Sequence, residues 1–477
     1  MLKAPFKTLD DQSSIVGNPL IHDDQHIKEI FTRGYFNDHS YYRPLVLLSF
    51  MEEYRSFGLN PFFYNLDNLL LHLINTLLVW VLVGLILENF NLGFWAGLLF
   101  ILHPIHVEAV SNISGRAILL STTFVLTAFI GFLLYQRQGK LRFLLGALAV
   151  FTLGLLCKES SAVLPGVIFF YLIFKKKSLK SLWPFGVIIG FYILLRYYLG
   201  MTETFAWRNL GEHILGIVTF LRSLITDLRL FVFPVDLYFD RSQRLFLSFS
   251  DLEFSMTIFI WTVVLLWLLI SRRYIQSIGW FSLSWLSLEL LPVSQIVTTI
   301  GVSPGVISCA NHFLYLASIP IFIILIEVTK NLMKINQQRK WFDGRIFKVA
   351  IGAFLIFLFV MNIEQNIYAS NELGMLQRSI QIQPINARMQ FSVGRIYALN
   401  GQFVKAKECF LKAVSIDPAN PRYRIAVAKS ICDQGNYQQC LDLYNRIDDS
   451  GPFAKLLQEN KEATIRLINQ HAQILSK

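Results

Sequence analysis

The residues able to do chemistry in this chain sit beside apolar runs. FILHPIHVEAVSNISGR, residues 100–116, sets His103, His106, Glu108 and Arg116 directly after a segment apolar enough for a bilayer, where every ionisable group is costly. LLCKESSAVLPG (155–166) puts Lys158 and Glu159 in a very short turn between two apolar segments, and YYRPLVLLSF (41–50) places Arg43 just before another. Two acidic pairs, Asp10/Asp11 and Asp23/Asp24, open the chain. A carboxylate can take the proton of an attacking hydroxyl. A guanidinium beside a helix N-terminus can hold a phosphate. Together these residue types suit transfer of a group to a hydroxyl.

Each cluster also has a plainer reading. Adjacent aspartates often cap a turn, Arg43 between tyrosines and a proline resembles an interfacial anchor, and Lys158 and Glu159 would satisfy each other. His103, His106 and Glu108 lack a third ligand of known geometry and form neither HExxH nor a Cys/His pattern, so no metal is assigned. They read better as a polar lip. Arg222, Arg229, Asp240 and Arg241 read as a solvated face able to meet lipid headgroups.

The elements that must position these residues follow from composition. The chain has 477 residues, 54% hydrophobic and only 16% charged, with a mean hydropathy of +0.48. These values describe a polytopic membrane protein. Apolar stretches near 62–87, 93–105, 117–135, 142–156, 160–174, 183–200, 255–270, 278–292, 313–328 and 346–363 give about ten helices. The net charge of +11 reads as topology and not as nucleic-acid binding. Arg137/Lys140/Arg142, Lys175/Lys176/Lys177/Lys180, Arg272/Arg273 and the run Lys330, Lys334, Arg339, Lys340, Arg345, Lys348 all fall on the cytoplasmic side if 213–234, which carries Arg222, Asp227 and Arg229, lies in the outer interface. Residues 1–61, the His103–Arg116 loop, the Lys158/Glu159 turn, 201–254, 293–312 and everything after 363 then share the extracytoplasmic side. Export of the first 61 residues leads this reading to expect a further helix upstream. The five cysteines give no metal pattern, and a Cys432–Cys440 pair stays open.

From Ala387 the sequence turns polar and a period of about 34 residues appears. Gly394, Tyr397, Ala406, Phe410, Ala413 and Pro418 match the tetratricopeptide positions, followed one period on by Ala428, Ile431, Gly435, Tyr437, Cys440, Tyr444 and Pro452. Full repeats therefore cover about 387–420 and 421–454. The domain reading is a membrane domain, 1–363, and an extracytoplasmic repeat domain, 364–477, whose helix pairs suit a protein or peptide partner.

The order Asp-Asp, YRPL, HPIHVEAVSNISGR, KES, LPVSQ with FLYLAS, then repeats, resembles the transmembrane and tetratricopeptide-repeat O-mannosyltransferases over nearly the whole chain. The resemblance implies a GT-C architecture, an all-α multi-helix bundle with its active site at the outer surface and a C-terminal α-solenoid. The implied donor is a polyprenyl-phosphate sugar such as dolichyl-phosphate mannose, and the implied acceptor a protein Ser/Thr hydroxyl. The acidic pair that matches is Asp10/Asp11, ahead of Asn18-Pro19, which leaves Asp23/Asp24 aside. Asp11 or Asp10 would be the base of a single inverting displacement. Arg116, with Arg43 and His312, would steady the departing phosphate, and His103, His106, Glu108, Lys158 and Glu159 would line the donor and acceptor positions. A monophosphate leaving group can be held by such cations, so no metal or other cofactor is expected. Two departures stand out: the family's first helix is absent, and Asn311-His312 replaces an expected Glu-Arg. The alternatives are a GT-C transferase acting on a glycan or lipid, and a catalytically silent scaffold that uses its repeats to assemble envelope partners.

Overall fold

The computed structural model describes residues 2–35, 41–201, 210–273, 275–296, 301–303, 305–339, 344–448 and 453–475. Lys340 and Pro452 lie outside them. Two compact units divide the chain. The first comprises 1–237, 246–299 and 309–371, and the second 238–245, 300–308 and 372–477.

In the first unit every apolar stretch folds as a helix, and the all-α membrane bundle expected from composition holds. Pro61–Ile86, Ile113–Gln138, Leu179–Tyr198, Leu252–Ser271, Asn311–Gln338 and Gly344–Ser370 are each long and apolar enough to cross a membrane. Phe90–Leu102 and Pro104–Ser111, bent by 54° at the break between them, make a seventh if the pair is one span. The bend has a local cause, since Pro104 has no N–H to continue the ladder. The remaining three stretches, Leu141–Leu155, Leu164–Phe174 and Ser277–Leu290, are shorter helices packed against longer neighbours. Among the described residues, length alone therefore supports six or seven crossings, fewer than the ten read from hydropathy. Leu210–Val232 is one continuous helix outside that set.

The N-terminal segment is compact. A π-helical turn, Gln12–Val16, leads through short turns to the helix Pro44–Phe57. Ile15, Leu20, Ile21, Val46, Leu47, Phe50 and Met51 are buried with Tyr64, Ile113, Ala117 and Cys157 in one core cluster. That cluster seats the segment on the loop ending at Arg116. Asp23 caps its own turn through Gln25 N–H, and Asp24 lies 3.7 Å from exposed Arg55.

The second unit pairs Ala387–Leu399 with Phe403–Ile416, and Pro421–Cys432 with Tyr437–Asn445, before a last helix, Ala454–Leu475. A Cβ on Gly394 would come within 2.5 Å of the Phe410 ring, so only glycine lets that first pair close. Cys432 and Cys440 form a disulfide within the second pair. Hydropathy gave no sign of the small antiparallel sheet in this unit, formed by Ser242–Arg244, Gly301–Ser303 and Val306–Ser308 with the last strand central.

Candidate active site

The broken span explains what its two histidines do. Without an N–H at Pro104 the carbonyl of Phe100 loses its helical donor, and His106 Nδ1 takes that place at 2.7 Å while Nε2 meets Ser318 Oγ at 3.1 Å. His103 Nδ1 accepts the N–H of Ile105, which leaves Nε2–H to donate to Phe231 O, in the last turn of Leu210–Val232, at 3.2 Å. Both side chains are buried and all four ring nitrogens are engaged. The expectation that these imidazoles meet a substrate is corrected accordingly: they close the gap that Pro104 opens.

The rest of the loop is fastened from three sides. Asn68 Nδ2 donates to Asn112 O at 2.9 Å, and Lys7 Nζ to Ser111 O at 2.8 Å. Asp11, fully buried, accepts Ser114 N–H on one carboxylate oxygen and Lys7 N–H on the other. Burial pushes the Asp11 carboxyl up to about 6, although these two N–H groups and the Lys7 charge pull the other way. Asp10 beside it is half-buried, and its carbonyl accepts from Ser13 and Ser14.

A second cluster joins the N-terminal segment to the Lys158/Glu159 turn. Arg43 grips Glu159 with two N–H groups, at 2.8 and 3.3 Å, and lies over the rings of Tyr41 and Tyr35. Burial opposes both charges, but their mutual attraction outweighs it and holds Glu159 down at about 2. Lys158 is different. Its ammonium makes no hydrogen bond or ion pair among the described residues. Burial, with Arg43 nearby, pulls it down to about 8, partly offset by Glu159 and Glu289. Tyr35 feels the charges of Arg43, Asp10 and Asp11 together, so both clusters border one region.

Arg116 does not fit the expected phosphate role. It is 2% exposed, and its guanidinium donates to Glu53 at 2.9 Å, Asn68 at 2.6 Å and Tyr64 O at 3.0 Å. A phosphate would have to displace a buried carboxylate. Glu108 meets the Asn311-His312 departure directly: His312 Nδ1 lies 2.6 Å from one of its oxygens and Asn311 Nδ2 3.2 Å from the other.

Sequence reading missed Tyr35, Glu53, Asn68 and Glu289. No local pattern marks them, since each matters through a partner far along the chain. The one available signal was polarity inside an apolar helix, which marks Asn68 within Pro61–Ile86 together with Asn65, His72 and Asn75.

A family model described as dolichyl-phosphate-mannose-protein mannosyltransferase matches residues 57–198. Protein O-mannosyl-transferase F38B6.6 of Caenorhabditis elegans is 26% identical over 436 residues, covering 86% of this chain and 60% of that protein. Human protein O-mannosyl-transferase TMTC3 is 33% identical over 177 residues, 35% of this chain and 19% of its own length. Human TMTC2 is 42% identical over 92 residues, 19% and 11% respectively. The chain thus spans less than two thirds of these relatives, and no solved structure matches it. These matches support the resemblance drawn from the motifs: the chain, a multi-pass membrane protein by its apolar helices, is similar to the TMTC-like O-mannosyltransferases.

Proposed function

We propose that this protein is a membrane glycosyltransferase that moves a sugar, mannose by its relatives' names, from a polyprenyl-phosphate donor to a protein Ser/Thr hydroxyl with inversion. The observation that most supports this reading is the gathering of Asp10, Asp11 and Arg43 about Tyr35, with Glu159 and Lys158 joined to it through Arg43. Carboxylates border one region with the Lys158 ammonium, which makes no hydrogen bond or ion pair among the described residues, so that a charged leaving group and an attacking hydroxyl can meet there. The hydroxyl oxygen attacks the anomeric carbon as the bond to the phosphate oxygen breaks, and the phosphate leaves with that electron pair. Lys158, steadied by the neutral Arg43–Glu159 pair, faces the developing charge. Asp11 holds the loop beside it. The resemblance assigns the base to Asp10 or Asp11. No resident metal or cofactor takes part in this proposal. The site and the repeat unit belong to the extracytoplasmic side, with the repeats offering a surface to the acceptor peptide.

Transfer of label from radiolabelled polyprenyl-phosphate mannose to Ser/Thr-rich peptides by the reconstituted full chain tests this. Wild type should transfer, and Asp11→Asn and Lys158→Met should not. A chain that transfers from none of several lipid-phosphate sugars, yet captures proteins through its repeats, is the scaffold instead.

A further inference from the structure

The pairing of Glu108 with His312 is not explained by holding a helix end or filling a core. His312 lies in the short turn Asn311–Phe313 that leads into the helix from Leu314, and Glu108 lies in the short helix Val107–Ser111 after the Pro104 break, far away in sequence. They meet at 2.6 Å through His312 Nδ1. Asn311 donates to the other Glu108 oxygen, which fixes the carboxylate in place. Glu108 is 7% exposed and His312 30%. His312 Nε2 has no hydrogen-bond partner among the described residues. A carboxylate on Nδ1 fixes the imidazole tautomer, directs Nε2 outward as the acceptor and stabilises the imidazolium formed when Nε2 gains a proton. Asp11 offers less, because each of its oxygens already accepts a backbone N–H and the side chain is fully buried.

We propose that the Glu108–His312 dyad receives the proton of the attacking acceptor hydroxyl, and that Asp11 positions the loop carrying Glu108. The proposal rests on the transfer reading above and replaces the base that the resemblance assigns. In the step, Nε2 takes the hydroxyl proton as the oxygen bonds to the anomeric carbon and the phosphate departs with the electrons of the broken C–O bond. The imidazolium remains beside Glu108 until solvent removes its proton. The described groups facing His312 are few. Glu108 is the charged one, Asn311 and Phe313 are its neighbours on its own turn, and His106 on the adjoining turn has both nitrogens engaged.

The sign of the pH dependence separates this role from the phosphate contact expected for His312. A base must be neutral, so kcat/KM rises with pH. A phosphate contact must be charged, so activity would fall. With the reconstituted full chain, His312→Gln should lower kcat about a hundredfold or more, leave KM for the lipid donor unchanged and abolish the rising limb. Glu108→Gln should give a smaller loss and move the limb, while both variants keep wild-type thermal midpoints in detergent. Asp11→Asn should retain the rising limb in whatever activity survives. A limb that persists in His312→Gln, or a raised donor KM with activity falling as pH rises, overturns the dyad while the transferase stands. A wild-type protein that transfers from no donor overturns both.

Discussion

Lys158 carries a charge that changes not far above neutral pH. Its ammonium is pulled down to about 8, first by burial and then by Arg43. In the proposed transfer it acts as a cation, so the sign is fixed: donor binding is full below about 8 and declines as pH rises through it. The affinity of a polyprenyl monophosphate for the reconstituted protein should show this decline. Lys158→Arg should shift it upward because guanidinium stays protonated, and a profile unchanged in Lys158→Met would remove Lys158 from the site. Arg116 leads to the opposite expectation. Its pairing with Glu53 is buried on both sides, at 2% and 5% exposure, and removing one partner strands the other charge. Arg116→Ala should therefore destabilise the folded protein by about 3–5 kcal/mol, read as a lower unfolding midpoint in detergent. Wild-type stability with selectively lost donor affinity would return Arg116 to the phosphate.

At the scale of elements, the loop from His103 to Gly115 does the positioning, and its tightest point is Gly115. A Cβ there would run into the carbonyl oxygen of Ala109, a backbone atom that cannot swing aside. Gly115→Ala should displace the Val107–Ser111 helix, cost about 1–3 kcal/mol of stability, and reduce transfer beyond what the stability loss explains, because Glu108 and Ser114 move with the loop. A fully active Gly115→Ala would show that this geometry tolerates slack. Much of this scale was legible in sequence. Apolar run length marked the long helices of the first unit, Pro104 marked the break, and small residues such as Gly394 marked the repeat pairs. What escaped was any relation needing two distant positions. Arg43 and Glu159 are 116 positions apart, and Glu108 and His312 are 204. Periodicity reports which face a residue occupies, not which residue waits opposite, so Arg116 read as an open cation until Glu53 appeared beside it. The amphipathic helix Pro44–Phe57 and the small sheet escaped for a related reason, since their packing partners, not their own hydropathy, define them.

For the whole molecule, the question is which side of the membrane the chemistry faces, and the disulfide supplies a test independent of charge. The basic residues from Lys330 to Lys348 lie before and at the start of the helix Gly344–Ser370, and the 372–477 segment of the second unit follows that helix. Positive charge facing the cytoplasm would put that unit outside, where disulfides persist. Cys432 and Cys440, with Cα atoms 5.3 Å apart, are bonded there, while Cys157, Cys309 and Cys409 are free. Joining them should stabilise the helix pair by about 2 kcal/mol for so short a loop. In intact membranes treated with a mass-tagged maleimide after denaturation, Cys432 and Cys440 should stay untagged until a reductant is added, while the other three tag at once. Reduced thiols at 432 and 440 in freshly prepared membranes would place the repeat unit in a reducing compartment, invert the topology, and turn the proposed transfer site toward the cytoplasm.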